Sequence, residues 1–135
     1  MPLSISKKGR VADKMFSILP ADDQKTAALA QQEGRQLPLS ALVLTVAEKE
    51  DGYALYRVER DCLELICLRS PDDEYAEWLV RAVLNAGVNR LAITATCSDP
   101  VLFPLLDRLG FRAQGAAMEV FIPDFFNRPC CGGGK

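Results

Sequence analysis

Between Ala41 and Leu68, three runs of β-branched, aromatic and aliphatic residues follow one another with only turn-forming residues between them. They are Ala41-Leu42-Val43-Leu44-Thr45-Val46, Tyr53-Ala54-Leu55-Tyr56-Arg57-Val58 and Cys62-Leu63-Glu64-Leu65-Ile66-Cys67-Leu68. Asp51-Gly52 is a hairpin signal between the first two, and Arg60-Asp61 turns the chain into the third. Strands joined this tightly run antiparallel, because a parallel return needs a crossover of about a dozen residues or more. The spacing therefore predicts a three-stranded meander.

Immediately after the third run the period becomes helical. Ser70 reads as an N-cap and Pro71 as the first helical residue, with Asp72 and Asp73 suited to the positive end of the helix dipole. Tyr75, Trp78, Leu79, Ala82, Val83 and Ala86 recur as a buried stripe, Glu77 and Arg81 can pair on the outer face, and Gly87 ends the helix. Arg90-Leu91-Ala92-Ile93-Thr94-Ala95-Thr96 is the next strand, so strand, helix and strand form a βαβ unit expected to be parallel and right-handed. Ser98-Asp99-Pro100 opens a second helix that turns Leu102, Leu105, Leu106 and Leu109 inward and stops at Gly110, its first turn weakened by Pro104. Phe111 to Ala113 and Met118 to Ile122 are the closing strands, turning near Gln114-Gly115. Upstream of the meander, Asp22 caps a helix over Asp23 to Glu33 that Gly34 stops, and Leu3 to Ile5 reads as a short strand before a turn at Lys7 to Arg10. The fold class is α/β, a mixed sheet in which an antiparallel meander precedes a βαβ unit, with helices on both faces.

The 135 residues suit one domain, placed at residues 1–128, with a flexible Cys/Gly tail at 129–135. Sixteen basic against eighteen acidic residues give a net charge of -2, which argues against nucleic acid as a partner. No apolar run approaches the ~20 residues that span a bilayer, and the start has no basic segment leading into an apolar core. No membrane association and a cytoplasmic location are therefore the expectation. The five cysteines are odd in number and lack C-x-x-C spacing, so reduced thiols are expected. Histidine is absent, which removes the commonest general base and metal ligand. The vicinal thiols Cys130 and Cys131 offer a soft-metal or redox role, though two thiolates leave zinc short of its four ligands.

The order of elements, together with Leu106-Asp107-Arg108-Leu109-Gly110-Phe111-Arg112, resembles the GNAT superfamily of acyl-CoA N-acyltransferases over about Phe16 to Phe126. That segment is similar to the family's Tyr-Glu-Lys-Leu-Gly-Phe box. In the family, a splayed pair of parallel strands admits the pantetheine arm, and an Arg/Gln-x-x-Gly-x-Gly/Ala loop binds the pyrophosphate through backbone amides. The resemblance places that loop on Arg69 to Trp78, reading Arg-Ser-Pro-Asp-Asp-Glu-Tyr-Ala-Glu-Trp, which contains neither glycine. Its three consecutive carboxylates would oppose a pyrophosphate, and two like charges ~4 Å apart cost about 4 kcal/mol at an effective dielectric of 20. The family's frequent general acid, a tyrosine, falls on Leu106, and its asparagine falls on Asp99, which reads more simply as a helix cap.

The resemblance thus implies a kept fold without the acyl-transfer apparatus: a module that binds a small ligand or a protein, needs no cofactor, and can form a homodimer through a strand edge. The alternative is an atypical N-acetyltransferase using acetyl-CoA, with Glu64 as base and water or Cys97 assisting the leaving thiolate. Glu64 also reads as an outward polar residue alternating with Leu63 and Leu65. If coenzyme A binds, the resemblance puts it on Leu68, Arg69 and Ser70, although Arg69 also suits an ion pair with Asp72 or Asp73. Cys67 and Cys97 fit core positions near the ends of the two parallel strands. Tyr75 and Trp78 fit core packing better than the wall of a pocket.

Overall fold

The computed structural model describes residues 15–127. The expected strand at Leu3 to Ile5, the turn at Lys7 to Arg10, and the tail with Cys130 and Cys131 lie outside those residues. The elements are β1 (Phe16–Pro20), α1 (Asp23–Gln32), β2 (Ser40–Val46), β3 (Lys49–Glu59), β4 (Cys62–Arg69), α2 (Asp73–Asn89), β5 (Thr94–Cys97), α3 (Phe103–Arg108), β6 (Arg112–Gln114), β7 (Ala117–Phe121) and α4 (Ile122–Asn127). The seven strands make one sheet in the order β1-β2-β3-β4-β5-β7-β6, and only β4 and β5 run parallel. The meander and the βαβ unit are thus both present.

The sheet divides the core in two. On one face Leu42, Leu44, Leu63, Leu65 and Val120 pack against Leu79 and Val83 of α2, Leu105 and Leu106 of α3, and Ile122 and Phe125 of α4. On the other, Leu29 of α1 packs over Ala41, Leu55, Ile66 and Cys67. Helices cover both faces, but α1 is alone on its side among the described residues.

Several local readings are corrected by packing. The β2–β3 hairpin turns at Ala47 and Glu48, which take the left-handed backbone with φ of 52° and 69°, and Asp51-Gly52 lies inside β3. Gly52 is there for space: a Cβ on it would lie 2.5 Å from the Arg69 carbonyl oxygen. Asp72, not Ser70, caps α2, its carboxylate accepting from the Tyr75 backbone N–H at 2.9 Å, so Pro71 stands just outside the helix. Gly87 lies within α2, where a Cβ would meet the Leu63 side chain at 2.6 Å, and the helix runs on to Asn89.

Leu91 adopts a φ of 68°, which ends the link from α2 and confines β5 to four residues. Trp78 is 45% exposed, tilted over Phe16 with ring centroids 6.1 Å apart, whereas Tyr75 is buried. The last strand stops at Phe121, and Ile122 begins α4. The Glu77–Arg81 pair forms as expected, at 2.9 Å.

Candidate functional site

Three features bear on function, and the first is the β4–α2 junction. The Ser70 hydroxyl donates to the Asp72 carbonyl at 2.7 Å, and Asp72 caps the helix. Asp73 and Glu74 occupy the first turn, and Asp73 reaches Arg108 of α3 at 3.6 Å. The positive end of this helix is complemented by the chain's own carboxylates.

The second is the divergence of the parallel pair. β5 accompanies β4 only from Cys62 opposite Thr94 to Leu65 opposite Cys97. Beyond that level β4 continues through Ile66 to Arg69, while the chain after Cys97 turns away into a 3-10 turn at Pro100–Leu102. Among the described residues, the β5-side edge of that upper stretch has no strand partner, so the two parallel strands splay apart. Cys67 and Cys97 are both buried core residues; burial raises both thiols, Cys67 to about 11. Neither is a ready thiolate, and fully buried Cys97 is out of reach of a leaving group. Asp99 caps the 3-10 turn, accepting from the Val101 N–H at 3.1 Å, and Leu106 is fully buried.

Arg69 departs from expectation. Its guanidinium grips Glu33, at the end of α1, through two donors at 2.6 and 2.9 Å, rather than Asp72 or Asp73. The Tyr53 hydroxyl donates to the same carboxylate and accepts from Gln32 at 3.0 Å. The Arg69 hydrogen bond chiefly holds Glu33 down to about 2, while burial followed by Glu33 pushes the Tyr53 phenol up. A coenzyme phosphate would have to compete with Glu33 for this arginine. The Leu68 side chain is buried and the Ser70 hydroxyl is engaged with Asp72.

The third feature surrounds Glu64. It is half-buried and lines a pocket of about 410 Å³ with Arg57, Glu59, Arg60, Cys62 and Thr96. Arg57 is its register partner on β3 and Thr96 its register partner on β5. Sequence reading singled out Glu64 alone; yet a turn centred on Arg60-Asp61 places Arg57 opposite it, so that pairing is readable. Thr96 depends on the parallel register and is not. Among the described residues no group of three or more carboxylates or thiols is arranged to hold a metal, and no helix is long and apolar enough to cross a membrane.

A mixed sheet with one splayed parallel pair, a meander before it and a long helix between the two strands defines an acyltransferase-type α/β architecture. The chain has the GNAT, or acyl-CoA N-acyltransferase, fold. The PaiA N-acetyltransferase of Thermoplasma acidophilum, in complex with coenzyme A, superposes with a TM-score of 0.55 over 72% of this chain and 67% of its own, at 14% identity. The ribosomal-protein-alanine N-acetyltransferase of Escherichia coli gives a TM-score of 0.62 over 80% and 94% of the two chains, also at 14% identity. A spermidine N-acetyltransferase from Vibrio cholerae gives 0.62 over 83% and 96% at 11% identity. No protein-family model and no curated protein sequence matches the chain.

Proposed function

We propose that this chain is a GNAT-fold binding module that has lost acetyl-CoA-dependent acyl transfer and takes a small ligand or a protein instead. The observation that carries this reading is the filled N-terminus of α2. There Asp72 takes the Tyr75 N–H for itself, and Asp73 and Glu74 bring further negative charge to the place where the fold otherwise receives a pyrophosphate. Fully buried Leu106 supports it, since it stands where the family's proton-donating tyrosine falls. The outer edges of β1 and β6, without a strand partner among the described residues, would serve a homodimer or a partner strand.

Calorimetric titration with acetyl-CoA tests the proposal. No saturable heat is expected, and micromolar binding would overturn it.

One observation favours the enzyme alternative: half-buried Glu64 opens onto a pocket at the start of the parallel pair, as a base acting through water requires. In that reading the coenzyme lies along the unpartnered edge of β4 near Leu68, Arg69 and Ser70. Acetyl-CoA with an amine panel would then release free thiol, and Glu64→Gln would abolish the release.

A further inference from the structure

The outer edge of β1 is complementary to itself. The Ala47 N–H donates to the Met15 carbonyl at 2.8 Å and the Ala21 N–H to the Ala41 carbonyl at 3.0 Å, so Met15 and Ala21 direct their backbone polar groups toward β2. Alternation along an antiparallel ladder then turns those of Ser17 and Leu19 the same way, and those of Phe16, Ile18 and Pro20 outward. Beyond them no strand lies among the described residues. The edge thus offers the N–H groups of Phe16 and Ile18 and the carbonyls of Phe16, Ile18 and Pro20, proline having no N–H. Of the usual guards against strand addition it has only Pro20, at its end. No side chain from Met15 to Ala21 is charged, and Met15 and Leu19 are 86% and 62% exposed. The opposite edge of the sheet, β6, is three residues long and bears Arg112.

We propose that β1 pairs antiparallel with β1 of a second copy of this chain, about a two-fold axis at Ile18, joining the two seven-stranded sheets into one. In that register Ile18 faces Ile18 of the other copy and exchanges both hydrogen bonds with it, and each Phe16 N–H donates to the other copy's Pro20 carbonyl. Every outward N–H of the strand is then satisfied, and the missing proline N–H leaves only the Phe16 carbonyl to water. Leu19 lies opposite Ser17 of the other copy and diagonal to its Leu19, and Met15 lies opposite its Ala21, so the exposed apolar side chains cover one another. In sequence the strand follows Lys14 and precedes Asp22 and Asp23, so antiparallel pairing brings ends of opposite charge together. An identical strand meets all of these conditions, which is why the occupant is a second copy. This assignment rests on the edge-pairing part of the binding-module reading and names the partner and the register for it.

Sedimentation velocity on the full chain under reducing conditions, from low micromolar to submillimolar concentration, should show a reversible monomer–dimer equilibrium. Over the same range, amide hydrogen exchange at Phe16 and Ile18 should slow as the dimer forms, while exchange at Ser17 and Leu19, whose N–H groups face β2, should change little. Ile18→Pro removes the central donor of each copy and should weaken association about tenfold or more. Leu19→Lys, which sets two ammonium groups diagonally across the axis, should weaken it to a similar degree, and it stands in for Ile18→Pro should that variant unfold. Gln114→Lys on β6 should leave association unchanged. A chain that stays monomeric throughout, a dimer that neither β1 variant weakens, or one that Gln114→Lys weakens instead would each overturn the assignment. Slow exchange at Phe16 and Ile18 already in the monomer would overturn it too, since the chain would then cover its own edge. The acetyl-CoA titration reads the β4–α2 junction, so its result and these can fail independently.

Discussion

Glu33 shows how a single carboxylate can gather three elements. It ends α1, receives two hydrogen bonds from Arg69 at the end of β4 and a third from Tyr53 on β3, and is largely buried while Arg69 is half exposed. These donors favour the charged form, which is why its pKa falls from 4.5 to about 2. A depressed folded-state pKa stabilises above the unfolded value and loses that contribution as pH falls through the folded one. Glu33→Gln should therefore lower stability at neutral pH by about 1–2 kcal/mol, a figure discounted because water screens half of Arg69. The gap between wild type and variant should narrow as pH drops from about 4.5 toward 2 in urea titrations at a series of pH values. A gap that stays constant across that window would show that the network contributes through shape rather than charge. None of this pairing is legible locally, since Arg69 and Glu33 lie 36 positions apart. Nearby Asp72 and Asp73 are the partners that sequence proximity suggests.

At the scale of elements, the meander, the βαβ unit and the helices capped by Asp22 and Asp99 were legible in the sequence, whereas β1 and α4 and several turns were not. The capping chemistry of Asp22 and Asp99 and the stops at Gly34 and Gly110 are local events, governed by residues within a few positions, and they stand as read. Asp51-Gly52 and Gly87 misled because glycine has two uses, and only the tertiary structure separates conformational freedom from close approach. At Gly52 the approaching group is the Arg69 backbone, which cannot rotate away. Gly52→Ala should therefore push β3 away from the β4–α2 junction and cost about 1–3 kcal/mol in urea unfolding. Gly115 is the contrast: its φ is 64°, but an added methyl group would meet nothing beyond its chain neighbours within 4 Å. Gly115→Ala should therefore cost only the left-handed backbone, about 1–2 kcal/mol. A neutral Gly52→Ala, with Ser70 and Arg69 signals unmoved in nitrogen-15 spectra, would contradict this close-approach role. The candidate site divides in the same way. Arg57 opposite Glu64 follows from a tight turn, while the uncovered face around them follows only from where α1 settles.

Across the whole molecule, the meander and the C-terminal strands meet through just four residues of parallel pairing, from Cys62 with Thr94 to Leu65 with Cys97. So few ladder bonds would leave two weakly coupled halves if the sheet alone joined them. The helix-covered core prevents that, because a single apolar cluster runs from Leu42 and Leu44 on β2, through Leu79 and Val83 of α2, to Met118 and Val120 on β7 and Phe125 on α4. Leu63 and Leu79 are fully buried at the middle of this cluster, so truncating either should weaken both halves together. Leu63→Ala and Leu79→Ala should each cost about 2–5 kcal/mol. In wild type and in both variants, the melt followed by Trp78 fluorescence, beside β1, should coincide with the far-ultraviolet circular dichroism of the whole sheet. Separate midpoints for the two probes would mean that the β4–β5 splay divides the molecule into independently melting parts. Coincident midpoints that fall together in the variants would mean that α2 couples the halves across the splay, so that the edge of β4 can stay open without loosening the fold.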